Sequence, residues 1–318
     1  MAAIVAFALV ASASPAGAQP RVWRVGMLSP VGSRDANVQD FFVHALRDLG
    51  YVEGQNLVLD QRSSEGHPER LGPLGAEIVR GRPDVLFAVS PPAVHALRKL
   101  TTTIPIVALD LESDPLRAGV AASLGRPAGN VTGIYLDVPE IQGKWIELLR
   151  EAVPRLSTLA MMADPAAHDL QVKATQAAAR RFGIAVHVHP VRNPDELSRA
   201  FDAIPRQREG ALVVLAAPLT YRETPRIVDF ALKQRLPAIS LFRNFPDAGG
   251  LMSYGVVLPE LFARCARFVD RILKGARAGD VPIERPERFE LVVNDKTAAA
   301  FGLKLPQSLL LRANEVLQ

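Results

Sequence analysis

The sequence predicts an α/β protein made of two doubly wound lobes with parallel sheets and a cleft between them. Three observations predict it. Short β-branched runs alternate with longer helical patterns, which is the strand–helix order of a parallel sheet. The alternation restarts near Tyr135, so two units follow one another. The chain has 318 residues, too many for one small core and a natural length for two lobes.

The first lobe opens with a strand over Val22 to Ser29. In Asn37 to Leu49, residues Phe41, Phe42, Ala45, Leu46 and Leu49 recur at helical spacing, and Gly50 stands where a helix C-cap favours glycine. Asn56 to Arg62 reads as the second strand. Pro68 to Val79 reads as a helix weakened by Gly72, Pro73 and Gly75, with Pro73 expected to end or kink its first turn. Asp84 to Val89 is a buried strand, Pro91 to Leu100 a helix, and Ile104 to Leu109 the next strand.

The second lobe follows the extended run Val131 to Leu136. Asp137 and Glu140 have the spacing of a capping box, and Ile141, Trp145, Leu148, Leu149 and Ala152 form the apolar stripe of the helix behind it. Leu156 to Ala163 is a strand, Leu170 to Phe182 a helix closed by Gly183, and Ala185 to Val191 a strand. Asn193 and Pro194 suit the N-cap and first position of another helix. Ala211 to Ala216 and Ala238 to Phe242 are strands either side of a helix over Pro225 to Lys233. The last segment holds a strand over Leu251 to Gly255 and a long amphipathic helix over Leu258 to Leu273. A strand over Phe289 to Val293, a short helix over Lys296 to Phe301 and a stretch from Pro306 to Val316 complete it. The expected division is a leader over 1–18, a first lobe over 19–135 with 255–280 returning to it, a second lobe over 136–254, and a hinge-bracing segment over 281–318.

The leader sets the compartment. Met1 to Pro20 carry no charge, and the apolar run Ile4 to Val10 leads to Ala16-Gly17-Ala18. This is the core and A-x-A cleavage site of a signal peptide, without its basic start, and Gln19 is the expected mature residue. The run is too short to span ~30 Å of hydrocarbon, and no later run approaches the ~18 apolar residues of a membrane helix. The expected location is the periplasm. The formal charge of +4 is small and the basic residues are scattered, so nucleic acid is not an expected partner. The single cysteine, Cys265, excludes an intramolecular disulfide and reads as a small core hydrophobe.

Enzyme signatures are absent. The chain contains no G-x-x-x-x-G-K-[ST], G-x-G-x-x-G, H-E-x-x-H or C-x-x-C, and Leu251 stands where a nucleophile elbow Leu251-Met252-Ser253-Tyr254-Gly255 needs glycine. No cofactor or metal is expected. His187 and His189 share one strand face, read as the exposed face of an edge strand because Pro190 follows. His44 and His95 read as helix-face or structural imidazoles.

What remains is a set of strand-to-helix junctions, where open α/β sheets bind ligands. In Ser90-Pro91-Pro92-Ala93 a buried strand meets a helix N-terminus, whose unpaired N–H groups can hold an anion; capping by Ser90 is the simpler alternative. Ser29, Asp110, Asp164, Pro218 and Leu219 end other strands, and Asn244 and Phe245 follow the strand at Ala238. Asp110 can accept from a ligand ammonium or serve the hinge. Phe245, Tyr135 and Tyr254 are candidate aromatic walls.

Several blocks, in order, resemble one family. They are Leu49-Gly50-Tyr51-Val52-Glu53-Gly54-Gln55-Asn56, Thr101 to Val107, Asp114-Pro115, Gly119, Ser123 to Pro127, Gly129 to Gly133, Arg235 to Ala238, Ala248 to Gly255 and Phe289 to Asn294. The chain resembles the ABC-transporter substrate-binding proteins that include tryptophan- and tyrosine-binding members. The resemblance implies the type I periplasmic-binding-protein fold, two Rossmann-like lobes joined by a multi-crossing hinge. It also implies a small-molecule ligand, an amino acid or aromatic carboxylate, and an ABC permease as partner, with no catalysis. The protein is expected to be a monomer. Relatives commonly read Gly-Thr-Pro-Ala where this chain has Ser90-Pro91-Pro92-Ala93. Ser90 is then expected to take the threonine's role, its hydroxyl toward the ligand carboxylate. Two other functions fit the fold. A transcription regulator's effector domain would need a DNA-binding module, and none precedes Val22. An enzyme using Asp110 and Asp114 would need acid–base geometry that the sequence does not fix.

Overall fold

The computed structural model describes residues 21–30, 36–136, 139–165 and 167–318. The leader and the capping box at Asp137 lie outside the described residues. The first lobe contains β1 (Trp23–Ser29), α1 (Ala36–Asp48), β2 (Leu57–Ser63), α2 (Leu71–Arg80), β3 (Val85–Val89), α3 (Pro91–Leu100), β4 (Ile106–Asp110) and β5 (Val131–Tyr135). Its five strands lie in the order β2-β1-β3-β4-β5, all parallel. Helices cover both faces, so Val85 through Ala88 on the central strand are buried without alternation. A single 3₁₀ turn, Pro68–Arg70, leads into α2. Pro73 does not break that helix: it stands at the third helical position, where an N–H would have no intrahelical acceptor.

The second lobe contains α4 (Pro139–Ala152), β6 (Thr158–Ala163), α5 (Asp169–Arg180), β7 (Ala185–Pro190), α6 (Pro194–Gln207), β8 (Leu212–Val214), α7 (Pro218–Arg222), α8 (Thr224–Gln234), β9 (Ala238–Ser240), α9 (Asn244–Asp247) and β10 (Met252–Val256). The Asn193 side chain caps α6 by accepting from the Glu196 N–H at 2.9 Å. α10 (Leu258–Leu273) then crosses back and packs on α1 and β4 of the first lobe. Phe262 on α10 meets Phe87 edge-on at 5.8 Å, and Phe87 stacks on Phe42 of α1 at 4.2 Å. Cys265 is buried in this layer, and burial pushes its thiol up, away from the reactive thiolate form.

The chain returns once more through β11 (Phe289–Asn294), α11 (Asp295–Phe301), α12 (Gln307–Arg312) and β12 (Glu315–Leu317). This segment corrects one expectation. Beyond Glu284 it does not merely brace the hinge: β11 and β12 extend the second sheet, whose order is β12-β11-β10-β9-β8-β6-β7. The β10–β11 pair is antiparallel and the others are parallel. The stretch before β11 lies on the first lobe, where the Arg285 carbonyl accepts from Arg264 of α10 at 3.1 Å. Glu284 exchanges backbone bonds with Gly133 and Tyr135 at 2.9 and 3.0 Å, and Arg264 holds its carboxylate at 2.5 Å. The lobes are thus joined by three crossings, after β5, after β10 and before β11.

β7 is an edge strand, but His189 on it is buried rather than solvent-facing, while His187 pairs with Glu209 at 2.5 Å. Among the described residues no group of three His, Cys, Asp or Glu side chains is arranged to hold a metal ion. No described helix is long and apolar enough to cross a membrane.

Candidate functional site

The carboxyl ends of β3 and β4 face those of β8 and β9 across the cleft. Between them lies a narrow apolar recess of about 60 Å³. Val89 and Leu111 form one wall, Tyr221 and Phe242 the other, and Phe262 of α10 the floor. Tyr221 and Phe242 pack edge to face at 5.4 Å, which fixes both rings. A wider chamber of about 570 Å³, with several charged residues in its lining, adjoins the recess and shares Glu112, Ala217 and Pro218 with it.

Ser90 enters the recess from the first lobe in an unusual conformation. Its φ of 71° and ψ of 159° belong to a region populated almost only by glycine. Its N–H donates to Leu109 at 2.8 Å, and its Oγ is buried with no hydrogen-bond partner among the described residues. Two prolines also remove the N–H groups of the first two helical positions. Ala93 carries the one amide among the first three, so the turn is poorer in donors than a helix N-terminus normally is.

Asp110 organises the next turn. Its Oδ1 accepts from the N–H groups of Glu112 and Ser113 at 3.0 and 2.9 Å. This throws the Glu112 side chain into the junction of recess and chamber, where it is 11 % exposed. Burial, reinforced by the charges of Asp110 and Asp164, raises its carboxyl well above the ordinary glutamate range.

His168 meets it from the second lobe. Its Nδ1 accepts from the Asp164 N–H at 3.1 Å, so its proton sits on Nε2 and is donated to the Ala216 carbonyl at 3.0 Å. Burial lowers its pKa, against the opposing pull of Asp164 and that carbonyl. His168 Nε2 stands 3.9 Å from Glu112 Oε2. Two further contacts join the lobes: Gln171 donates to the Glu112 carbonyl at 3.3 Å, and Arg222 to the Glu65 carbonyl at 3.4 Å.

Of the residues singled out in the sequence, Ser90, Pro92, Asp164, Pro218 and Leu219 line these cavities. The others do not. Ser29, Ala93, Tyr135 and Phe245 are buried, and Asp110 works through its turn rather than facing the space. Pro91 starts α3 beside the recess, and Asn244 bonds to Thr224 at 3.2 Å. Tyr254 stacks on Phe289 instead of forming a pocket wall. Glu112, His168 and Tyr221 line the cavities without having been singled out. The polar turn Glu112-Ser113-Asp114-Pro115 directly after a strand was the available signal for the first of them.

Two α/β lobes, three crossings and a cleft at the strand ends define a bilobal binding protein. Residues 27–317 match the family of ABC transporter substrate binding proteins, and the chain belongs to that family. It is 24% identical over 270 residues to the tyrosine-binding protein of Clostridioides difficile (strain R20291), covering 83% of this chain and 76% of that one. Two solved structures share the fold with a TM-score of 0.85, each covering 93% of this chain and 100% of the other. One is an ABC domain in complex with L-Trp from Streptococcus pneumonia, 23% identical, and the other a conserved domain protein from Vibrio cholerae, 24% identical.

Proposed function

We propose that this protein is the periplasmic solute-binding subunit of an ABC importer, and that it captures an amino acid or a close relative of one between its lobes. The carrying observation is the recess itself: β3 and β4 supply one wall, α7 and β9 the other, so a ligand there contacts both lobes at once. Closure on the ligand buries it, and the closed shape is what a permease would recognise. The uncharged leader supports export. The relatives' tyrosine and L-Trp support the amino-acid class. The recess agrees with an aromatic or apolar side chain, because its lining is almost wholly apolar. The site is read as one that binds without catalysis.

Thermal unfolding against a panel of amino acids and aromatic compounds tests the reading. A ligand present at 100 times its Kd adds about 2.7 kcal/mol to folding stability and raises Tm visibly. A flat response across the panel, together with no small molecule retained in native mass spectrometry, overturns it.

A further inference from the structure

We infer, resting on the solute-binding reading above, that the cleft recognises its ligand through an ammonium group set against Glu112, and that the turn at Ser90 is not a carboxylate cradle. The expected ligand class is a primary amine with an apolar or aromatic body, favoured over the corresponding amino acid and strongly over the corresponding acid.

The first support is the chemistry of α3. Pro91 and Pro92 have no N–H to offer. The Ser90 N–H is committed to Leu109 and the Val94 N–H to Ser90 itself. A carboxylate presents about four acceptor sites. The Ala93 amide and the Ser90 hydroxyl together leave most of them unmet, and among the described residues no arginine or lysine lines the recess. Burying an under-bonded carboxylate there is strongly unfavourable.

The second support is the charge around the opening. Five carboxyl groups line the wider chamber, on Glu65, Glu69, Glu112, Asp164 and Glu223, against two guanidiniums. Arg192 is held by Glu196, Arg222 and Arg226 both meet Glu223, and Arg70 stands 3.9 Å from Glu65. Both guanidiniums on this lining are thus engaged by carboxyl groups, and neither is left free for a ligand's anion.

The third is the position of Glu112. Among the described residues no arginine or lysine lies within 4.0 Å of its carboxyl, and the nearest basic group is His168, whose proton already points at Ala216. A carboxyl this enclosed, without a countercharge, can accept strong charge-assisted hydrogen bonds from an ammonium. Ser90 Oγ, unpartnered in the same recess, offers that ammonium a further acceptor. Val89, Leu111, Phe242 and Phe262 then enclose the apolar body.

Calorimetry on the mature chain with tryptamine, L-tryptophan and indole-3-propionate tests the proposal, because the three share one ring and differ in charge. Tryptamine is expected to bind more tightly than L-tryptophan, with indole-3-propionate weakest. Glu112→Gln is expected to weaken tryptamine about tenfold or more, as loss of one partner of an enclosed charge pair does. Tighter binding of L-tryptophan than of tryptamine overturns the proposal, and so does full tryptamine affinity in a folded Glu112→Gln protein. If the variant does not fold, the ranking on the unaltered chain decides. Failure of all three compounds also overturns it, whereas the solute-binding reading then stands or falls on what native mass spectrometry finds retained.

Discussion

Glu112 and His168 meet across the cleft at 3.9 Å, one from the turn after β4 and the other from the turn before α5. Burial raises the pKa of the acid and lowers that of the base. The pair is a buried polar contact between lobes that otherwise touch at few polar points, and it makes stability depend on pH.

For Glu112 the folded pKa lies above the unfolded one. Its contribution is therefore intact below the ordinary glutamate value near 4.5, and is lost as pH rises toward the raised folded value. Ligand-free Glu112→Gln is expected to gain in Tm over the unaltered chain as pH rises from about 5 to about 8, each unit of pKa displacement being worth about 1.4 kcal/mol. Parallel melting curves at every pH would refute this.

His168 has a depressed pKa, so its contribution is present above 6.5 and is lost as pH falls below it. His168→Ala removes the partners of the Asp164 N–H and the Ala216 carbonyl and opens a void. The expected loss is about 2–4 kcal/mol by urea unfolding at neutral pH. A loss under about 1 kcal/mol would show that the imidazole is not a structural tie.

Ser90→Gly relieves a conformation that costs a side-chain-bearing residue about 1–3 kcal/mol. The added freedom of glycine in the unfolded chain offsets part of it, about 0.5–1 kcal/mol. A net gain of about 1 kcal/mol is expected from the urea midpoint at unchanged m-value. A destabilised variant would mean that the strain is not real or that Ser90 Oγ supports the fold.

Gly133→Ala addresses the sheet beneath the hinge. Gly133 has φ of 136°, and an added Cβ would stand 2.1 Å from the Ala108 carbonyl oxygen on β4. Backbone cannot yield as a flexible side chain can, so a loss of at least about 3 kcal/mol is expected, seen as a lowered Tm and reduced soluble yield. An alanine variant as stable as the parent would overturn the reported β4–β5 spacing.

Much of the fold was legible because its signals are local. Strand–helix alternation, the Asn193 cap and the amphipathic α10 each depend on residues within one or two turns of each other. The junction at Ser90 was legible for the same reason. The place of β11 and β12 was not, because joining the second sheet depends on backbone pairing with strands distant in the chain. Strand-end position by itself also failed to separate Asp110, which holds its own turn, from Glu112, which that turn delivers into the cleft.

The sequence by itself determined the class of architecture, the two-lobe division, the lack of enzyme signatures and the family. Periodicity, turn chemistry and ordered blocks are properties of neighbouring residues. Only the tertiary structure decided which strand ends face one another, that Ser90 adopts a glycine conformation, and that Glu112 stands beside His168. Burial and electrostatics depend on what surrounds a group in space, and neighbours drawn from distant segments are not written at any one place in the chain.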